Sequence, residues 1–149
     1  MQVVETLDLS RYYGKWYEYA RFPNRFEKDC INVTAEYAPR SDGKVQVINT
    51  CDKDSGSRGI DKIEGQASVV APGKLSVTFV PWLPFAKGDY WVLYVEPDYS
   101  MAVVGEPKGK TGWILSRKPT LDAARRDRAL AVLVANGYDI SQLYYVPQR

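Results

Sequence analysis

The chain has 149 residues, 45% hydrophobic and 13% aromatic, with 20 basic against 18 acidic side chains for a net charge of +2. That length suits one domain with a substantial core, and so balanced a charge lacks the positive field of a general nucleic-acid binder, so no nucleic acid is expected as a partner. Histidine is absent, which removes the usual general base, the usual neutral metal ligand and every Ser-His-Asp or Cys-His nucleophile; neither metal nor cofactor is expected, and no catalytic residue is assigned.

No apolar run approaches the ~18 residues of a membrane helix, and the first part of the chain lacks a signal-peptide pattern. Asp8-Leu9-Ser10-Arg11-Tyr12-Tyr13 reads as a short helical turn, with Asp8 or Ser10 placed to cap free amides. Gly14-Lys15-Trp16-Tyr17-Glu18 then leaves a tight turn and opens a strand to about Phe22 that buries a large indole at once; Pro23-Asn24 ends it. A loop carrying Arg25, Phe26 and Lys28 follows.

From Cys30 the pattern alternates. Val33, Ala35 and Tyr37 point one way, and Asn32, Thr34 and Glu36 the other. Pro39 to Gly43 turns the chain, and Val45, Val47 and Asn49 return on the inner parity. A hairpin closed over Pro39 to Asp42 sets Tyr37 opposite Lys44, Ala35 opposite Gln46 and Cys30 opposite Cys51, a spacing that allows a disulfide. Two buried thiols are the alternative, because a bulge at Asp42-Gly43 would shift the register. A bridge implies an oxidising compartment.

Ser55-Gly56-Ser57 breaks the returning strand, after which Ile63, Gly65, Ala67 and Val69 share one parity. Pro72-Gly73 turns into Leu75, Val77 and Phe79. The loop Pro81-Trp82-Leu83-Pro84-Phe85 is apolar where loops are usually polar, so it either covers or touches something, such as a membrane surface, or folds back onto the domain. Tyr90 to Glu96 is apolar on both parities, leaving open whether Tyr90, Val92 and Tyr94 or Trp91, Leu93 and Val95 face inward. Pro97-Asp98-Tyr99-Ser100 turns to Ala102 and Val104, and Thr111 to Arg117 is the last long strand, with Trp113, Leu115 and Arg117 on one side. Thr120 is expected to cap a helix to about Asn136, ended by Gly137. Leu130, Leu133 and Val134 form its apolar stripe, and Arg125, Arg126 and Arg128 lie mainly on the wet side. Leu143 to Val146 is a short extended tail.

About eight antiparallel strands joined by short turns describe an up-and-down meander, and closing it removes both exposed edges. The expected fold is an all-β, eight-stranded antiparallel barrel, residues 1–149 as one domain, with one C-terminal α-helix packed outside. Such a barrel just holds one small ligand, and the small residues Ala35, Gly65 and Ala67 are expected to leave space inside. The candidate lining is Val33, Ala35, Tyr37, Val47, Asn49, Ala67, Val69, Val77, Phe79, Tyr90 and Trp113.

In this order, the Gly-x-Trp at Gly14 to Trp16, the Asp-Tyr turn at Asp98-Tyr99 and Arg117 ending the last strand resemble the lipocalins, over nearly the whole chain. The wording Trp16-Tyr17-Glu18 with Leu115-Ser116-Arg117 is most similar to the bacterial outer-membrane lipocalins and their apolipoprotein D relatives. One signal departs: the turn begins Glu96-Pro97, without the threonine often found before the aspartate. The resemblance implies that Gly14, Trp16, Asp98, Tyr99 and Arg117 are structural, with Arg117 stacked on Trp16 at the closed end. It also implies that Arg25, Phe26, Trp82 and Phe85 surround the open mouth, with the Cys30–Cys51 disulfide near the same end.

The expected function is binding, transport or storage of a small hydrophobic ligand, a fatty acid or lysophospholipid, with peripheral membrane contact through the Trp82 loop. A monomer or weak homodimer in the periplasm or outer membrane fits, any signal or lipid anchor lying outside these residues. The alternative is an enzyme using the same cavity, a thiol-dependent one or an isomerase with Glu18 as base.

Overall fold

The structure is a computed structural model that describes residues 1–24, 27, 29–53, 60–79 and 87–149, with residues 60 and 61 described by backbone alone. A short helix α1 (Leu9–Tyr12) precedes strands β1 (Gly14–Arg21), β2 (Cys30–Pro39), β3 (Val45–Lys53), β4 (Ile60–Ala71), β5 (Lys74–Phe79), β6 (Lys87–Val95), β7 (Met101–Gly105) and β8 (Gly112–Ser116). Helix α2 (Ala123–Ala135), a 3₁₀ turn at Ile140–Gln142 and a two-residue strand β9 (Tyr144–Tyr145) follow. Each strand pairs antiparallel with its neighbour in sequence from β2 to β8, and β1 closes the sheet by pairing β8 on one edge and β2 on the other. The result is a closed eight-stranded up-and-down barrel with one extra strand and one helix outside.

Two apolar clusters follow from the alternation. Trp16, Ala35, Tyr37, Val45, Val47, Ala67, Leu75, Val77, Val92, Ala102, Val104 and Leu115 meet inside the barrel, with Tyr12 of α1 plugging the base. Ala20, Phe22, Leu93, Met101, Val103 and Ile114 face outward, where Ala129 and Leu133 of α2 and Tyr138 cover them. With both faces covered, β7 is buried at every position, and a strand so placed reads as an unbroken apolar run.

Among the described residues, bulges break the alternation at Glu18/Ala20, Ile31/Thr34, Val69/Ala71 and Val92/Tyr94. The last one answers the open question about β6. Tyr90 and Val92 face inward, Leu93 and Tyr94 outward, and Val95 inward again, so neither single parity holds throughout.

The β2–β3 register differs from the expected one by three residues at Tyr37 and Ala35 and by two at Cys30, beyond the bulge. Tyr37 lies opposite Val47, Ala35 opposite Asn49 and Cys30 opposite Lys53, because the hairpin closes with Arg40 N–H donating to Lys44 O, a longer turn than Pro39 to Asp42. The disulfide forms nonetheless. The bulge beside it brings Cys30 and Cys51 to a Cα separation of 5.5 Å.

Helix α2 also starts later than expected. Asp122, not Thr120, caps it by accepting from Arg125 N–H, while the Thr120 carbonyl accepts from the Ser116 hydroxyl. Its buried line is Ala129 and Leu133, flanked by Leu130 and Val132; Val134 is 55% exposed. Gly137 follows the helix at positive φ as expected. Arg125 and Arg128 do not simply face water, since both reach the buried Glu96 at the end of β6.

Candidate functional site

The base of the barrel is built from the residues that mark the sequence. Trp16 is fully buried at the start of β1, and its indole N–H donates to Tyr12 O at 2.8 Å. The Arg117 guanidinium lies 3.8 Å from the centre of that ring and donates to four carbonyl oxygens, those of Arg11, Tyr13, Lys15 and Tyr99. Gly14 sits at φ +103°, where a Cβ would stand 3.3 Å from Arg117 Nη1, so the first residue of β1 must be small and left-handed. In the β6–β7 turn, Asp98 Oδ1 accepts from Ser100 N–H, and the Tyr99 hydroxyl accepts from Asp8 N–H. The turn that begins Glu96-Pro97 thereby holds α1 against the barrel, and Pro97 O accepts from Arg11.

Above this plug three phenols form a chain. The Tyr90 hydroxyl is hydrogen-bonded to those of Tyr12 at 2.7 Å and Tyr37 at 2.8 Å. Burial pushes all three phenols upward in pKa, so they stay neutral. Beneath them Leu7, Leu9, Tyr13, Val45, Val47, Ala67, Leu75 and Val77 complete the lining of a cavity of about 10 Å³. That is room for about one water and far below the roughly 300 Å³ of a small-molecule pocket. The expectation that small residues keep the interior empty therefore fails at this end. Gly65 has a specific reason to be small: a Cβ there would lie 2.7 Å from both Phe79 Cδ1 and Thr78 O, so the space it leaves is filled by the Phe79 ring.

Toward the mouth the wall opens. Asn49 and Ile63, paired across β3 and β4 on the inward parity of Val47 and Gly65, are not buried, and Ile63 is 42% exposed. Phe79, Tyr90 and Trp113 are only partly buried.

A polar cluster stands at the same level. Glu18, 6% exposed, shares the Arg21 guanidinium with Glu27. Its Oε1 lies 3.4 Å from Arg21 Nη1. Burial, with the neighbouring Glu27 carboxyl adding to it, holds Glu18 well above the usual carboxylate range. Glu27 Oε1 accepts from the Trp113 indole at 2.7 Å and from Asn24 at 2.9 Å, and Arg21 donates to Glu27 O at 2.7 Å. The inward parity of Glu18 was legible beside Trp16. Arg21 was not, because the bulge at Tyr19 turns it inward opposite Trp113.

Of the eleven expected lining residues, Ala35, Tyr37, Val47, Ala67, Val77, Phe79, Tyr90 and Trp113 belong to the inner cluster, and Asn49 shares their face. Two do not. The bulge after Ile31, with Asn32 at φ 52°, sends Val33 to pack with Cys30, Cys51 and Val146. Val69 keeps the inward parity, opposite Leu75, but lies at the closed rim beside the Pro72-Gly73 turn, 52% exposed and outside the inner cluster. The expected mouth residues Arg25, Phe26, Trp82 and Phe85 lie outside the described residues, as do Lys28 and the Ser55-Gly56-Ser57 break. Both cysteines are in the disulfide, so neither offers a thiol nucleophile.

The geometry has counterparts in known proteins. A family model described as a lipocalin-like domain matches residues 7–148. The chain is 41% identical to temperature-induced lipocalin-1 of Arabidopsis thaliana, covering 99% of this chain and 83% of that protein. It is 38% identical to the outer membrane lipoprotein Blc of Escherichia coli (strain K12), over 98% and 82%. With apolipoprotein D of Macaca fascicularis the identity is 31%, over 99% and 80%. Among solved structures, the allergen Per a 4 from cockroaches superposes with a TM-score of 0.78 at 23% identity, covering 100% of this chain and 94% of that one, a likeness of fold.

Proposed function

This chain belongs to the lipocalin family, and from that premise we propose that it binds one small hydrophobic molecule, a fatty acid or a lysophospholipid, in the mouth half of its barrel and carries or stores it unchanged. The observation that carries this reading is the contrast along the barrel axis. The base is closed by buried rings, whereas the inward wall at Ile63, Phe79 and Trp113 is apolar and incompletely covered. Apolar wall left open to water favours an apolar guest. Burying a sixteen-carbon chain contributes about 12 kcal/mol gross at roughly 0.8 kcal/mol per methylene, and association costs of about 4–15 kcal/mol remove much of it. Micromolar affinity is the expected scale.

The disulfide and the kinship with outer membrane lipoproteins support an oxidising compartment of the bacterial cell envelope as the site of action, as a monomer or weak homodimer. Peripheral contact with a membrane through Trp82, Leu83 and Phe85 belongs to the same reading. Titrating palmitate and lysophosphatidylcholine while following tryptophan emission tests the binding. Saturable changes with micromolar midpoints are expected, and no change with either lipid would overturn the proposal. Vesicle sedimentation of a Trp82→Ser, Phe85→Ser double variant tests the membrane contact, which is rejected if binding to vesicles is unaltered.

A further inference from the structure

Two carboxyl groups share one guanidinium on the mouth side of the tyrosine chain. Arg21 Nη1 lies 3.4 Å from Glu18 Oε1 and 3.8 Å from Glu27 Oε2, so two largely buried carboxyls crowd around one cation. One guanidinium neutralises only one of two buried carboxylates, which favours a proton kept on the other. Glu27 Oε1 already accepts two hydrogen bonds, from Trp113 and Asn24, which marks Glu27 as the acceptor and Glu18, the more buried of the two, as the proton's holder. Among the described residues, the other titratable and charged groups facing the pair are Arg21 on β1, Tyr37 on β2 and, stacked under Arg21 at 4.9 Å, Tyr144 on β9; β8 contributes only Trp113 and Leu115.

We propose that the proton shared by Glu18 and Glu27 is a latch: while it is held, Glu27 stays fastened to Trp113 and the barrel wall, and its loss sets two carboxylates against each other, frees the Glu27 side chain and loosens the hold on a bound guest. The latch concerns the regulation of the binding site proposed above and rests on that reading only for its last step. Glu18 is raised well above the usual carboxylate range, so the latched state is complete at acid pH and is lost as pH rises through the raised value. A guest taken up in acid surroundings would be released in more alkaline ones. Tyr37 couples the two events in space, since it feels both carboxyls and also lines the interior.

The direct reporter is the Trp113 indole N–H. In ligand-free protein its proton–nitrogen resonance, assigned with a Trp113→Phe variant, is expected to shift along a single titration above the usual carboxylate range. Glu18→Gln should hold the resonance at its acid-side position at every pH, and Glu27→Gln should move the transition down in pH by removing the like charge. A wild-type resonance that does not titrate, or a Glu18→Gln protein that titrates like wild type, would overturn the latch. Dissociation of a dansyl-labelled fatty acid should quicken at least threefold across the same transition in wild type and not in Glu18→Gln; equal pH dependence in both would overturn the link to the guest. If no lipid probe binds at all, the binding proposal falls while the indole titration still decides the latch.

Discussion

Replacing Arg117 with glutamine tests the base of the barrel. The guanidinium makes four hydrogen bonds to carbonyl oxygens on α1, the start of β1 and the β6–β7 turn, at 2.7 to 3.2 Å, and stacks at 3.8 Å on a fully buried tryptophan. The carbonyls are near enough to solvent to be rehydrated, so each bond contributes about 0.5–1 kcal/mol, or about 2–4 kcal/mol together. The stack adds about 1 kcal/mol. A loss of about 3–5 kcal/mol follows, equivalent to a fall in Tm of roughly 6–20 °C for a domain of this size. Urea denaturation followed by far-ultraviolet dichroism measures it. Lysine keeps the charge over the indole but cannot reproduce the planar fork, so Arg117→Lys should recover less than about half of the loss. A glutamine variant within about 1 kcal/mol of wild type, or full rescue by lysine, would refute the assignment of Arg117 as the tie between helix, strand and turn.

Four further outcomes are expected. Replacing Cys30 and Cys51 together with serine should cost about 3 kcal/mol, because the disulfide spans a sequence separation of 21 residues, and reductant should then have no further effect on the denaturation midpoint. Gly65→Ala should cost about 1–3 kcal/mol by driving a methyl into Phe79 and the Thr78 carbonyl, and trimming Phe79 to leucine in the same chain should recover part of that. Hydrogen bonding from Arg128, with Tyr94 adding to it, holds the Glu96 carboxyl below its usual range against the opposing effect of burial. Stability from this group is therefore present above the ordinary carboxylate value and is lost as pH falls through the depressed one, so Glu96→Gln should flatten the acid limb of a dichroism-monitored pH titration. For saturated fatty acids of increasing length, affinity should rise by roughly 0.8 kcal/mol per methylene until the chain reaches Tyr37 and Tyr90 and then level off; calorimetry across the series would show a continued rise if the base accommodates the chain instead.

The barrel was legible because its strands alternate, its turns carry Pro-Gly and Asp-Gly signals, and closure is the simplest way for such a meander to hide its edges. The same alternation misled wherever a bulge slipped one residue into the ladder. Parity with Ala35 predicts an inward Val33, yet two residues oppose one at that point and it packs with the disulfide instead. The β2–β3 register failed for a related reason: a sequence shows that a turn occurs between Pro39 and Gly43 but not how many residues its closing hydrogen bond encloses. Emptiness was the least legible property. Gly65 reads as room for a ligand, but a small residue is equally what a neighbouring ring requires, and the placement of Phe79 decides it.

The bulge at Tyr19 links these local effects to the site. Up to Tyr17, β1 pairs with β2, as Trp16 opposite Ala35 shows. Beyond that point the two strands part, and the C-terminal tail enters between them. Tyr144 and Tyr145 pair with Arg21 and Ala20, Val146 N–H donates to Tyr19 O, and Pro147 O accepts from Asn32 N–H. The side-chain amide of Gln148 donates to both Glu18 O and Val33 O, bridging the parted strands. An open seam here would admit water beside Glu18 and let its carboxyl ionise as an ordinary glutamate does. Backbone and one amide thus fill the seam beside the residue that carries the buried carboxyl. The seam is where water would reach Glu18, so Gln148→Ala should lower that carboxyl's raised pKa, read as a downward shift of the Trp113 indole titration, and an unmoved transition would refute the link.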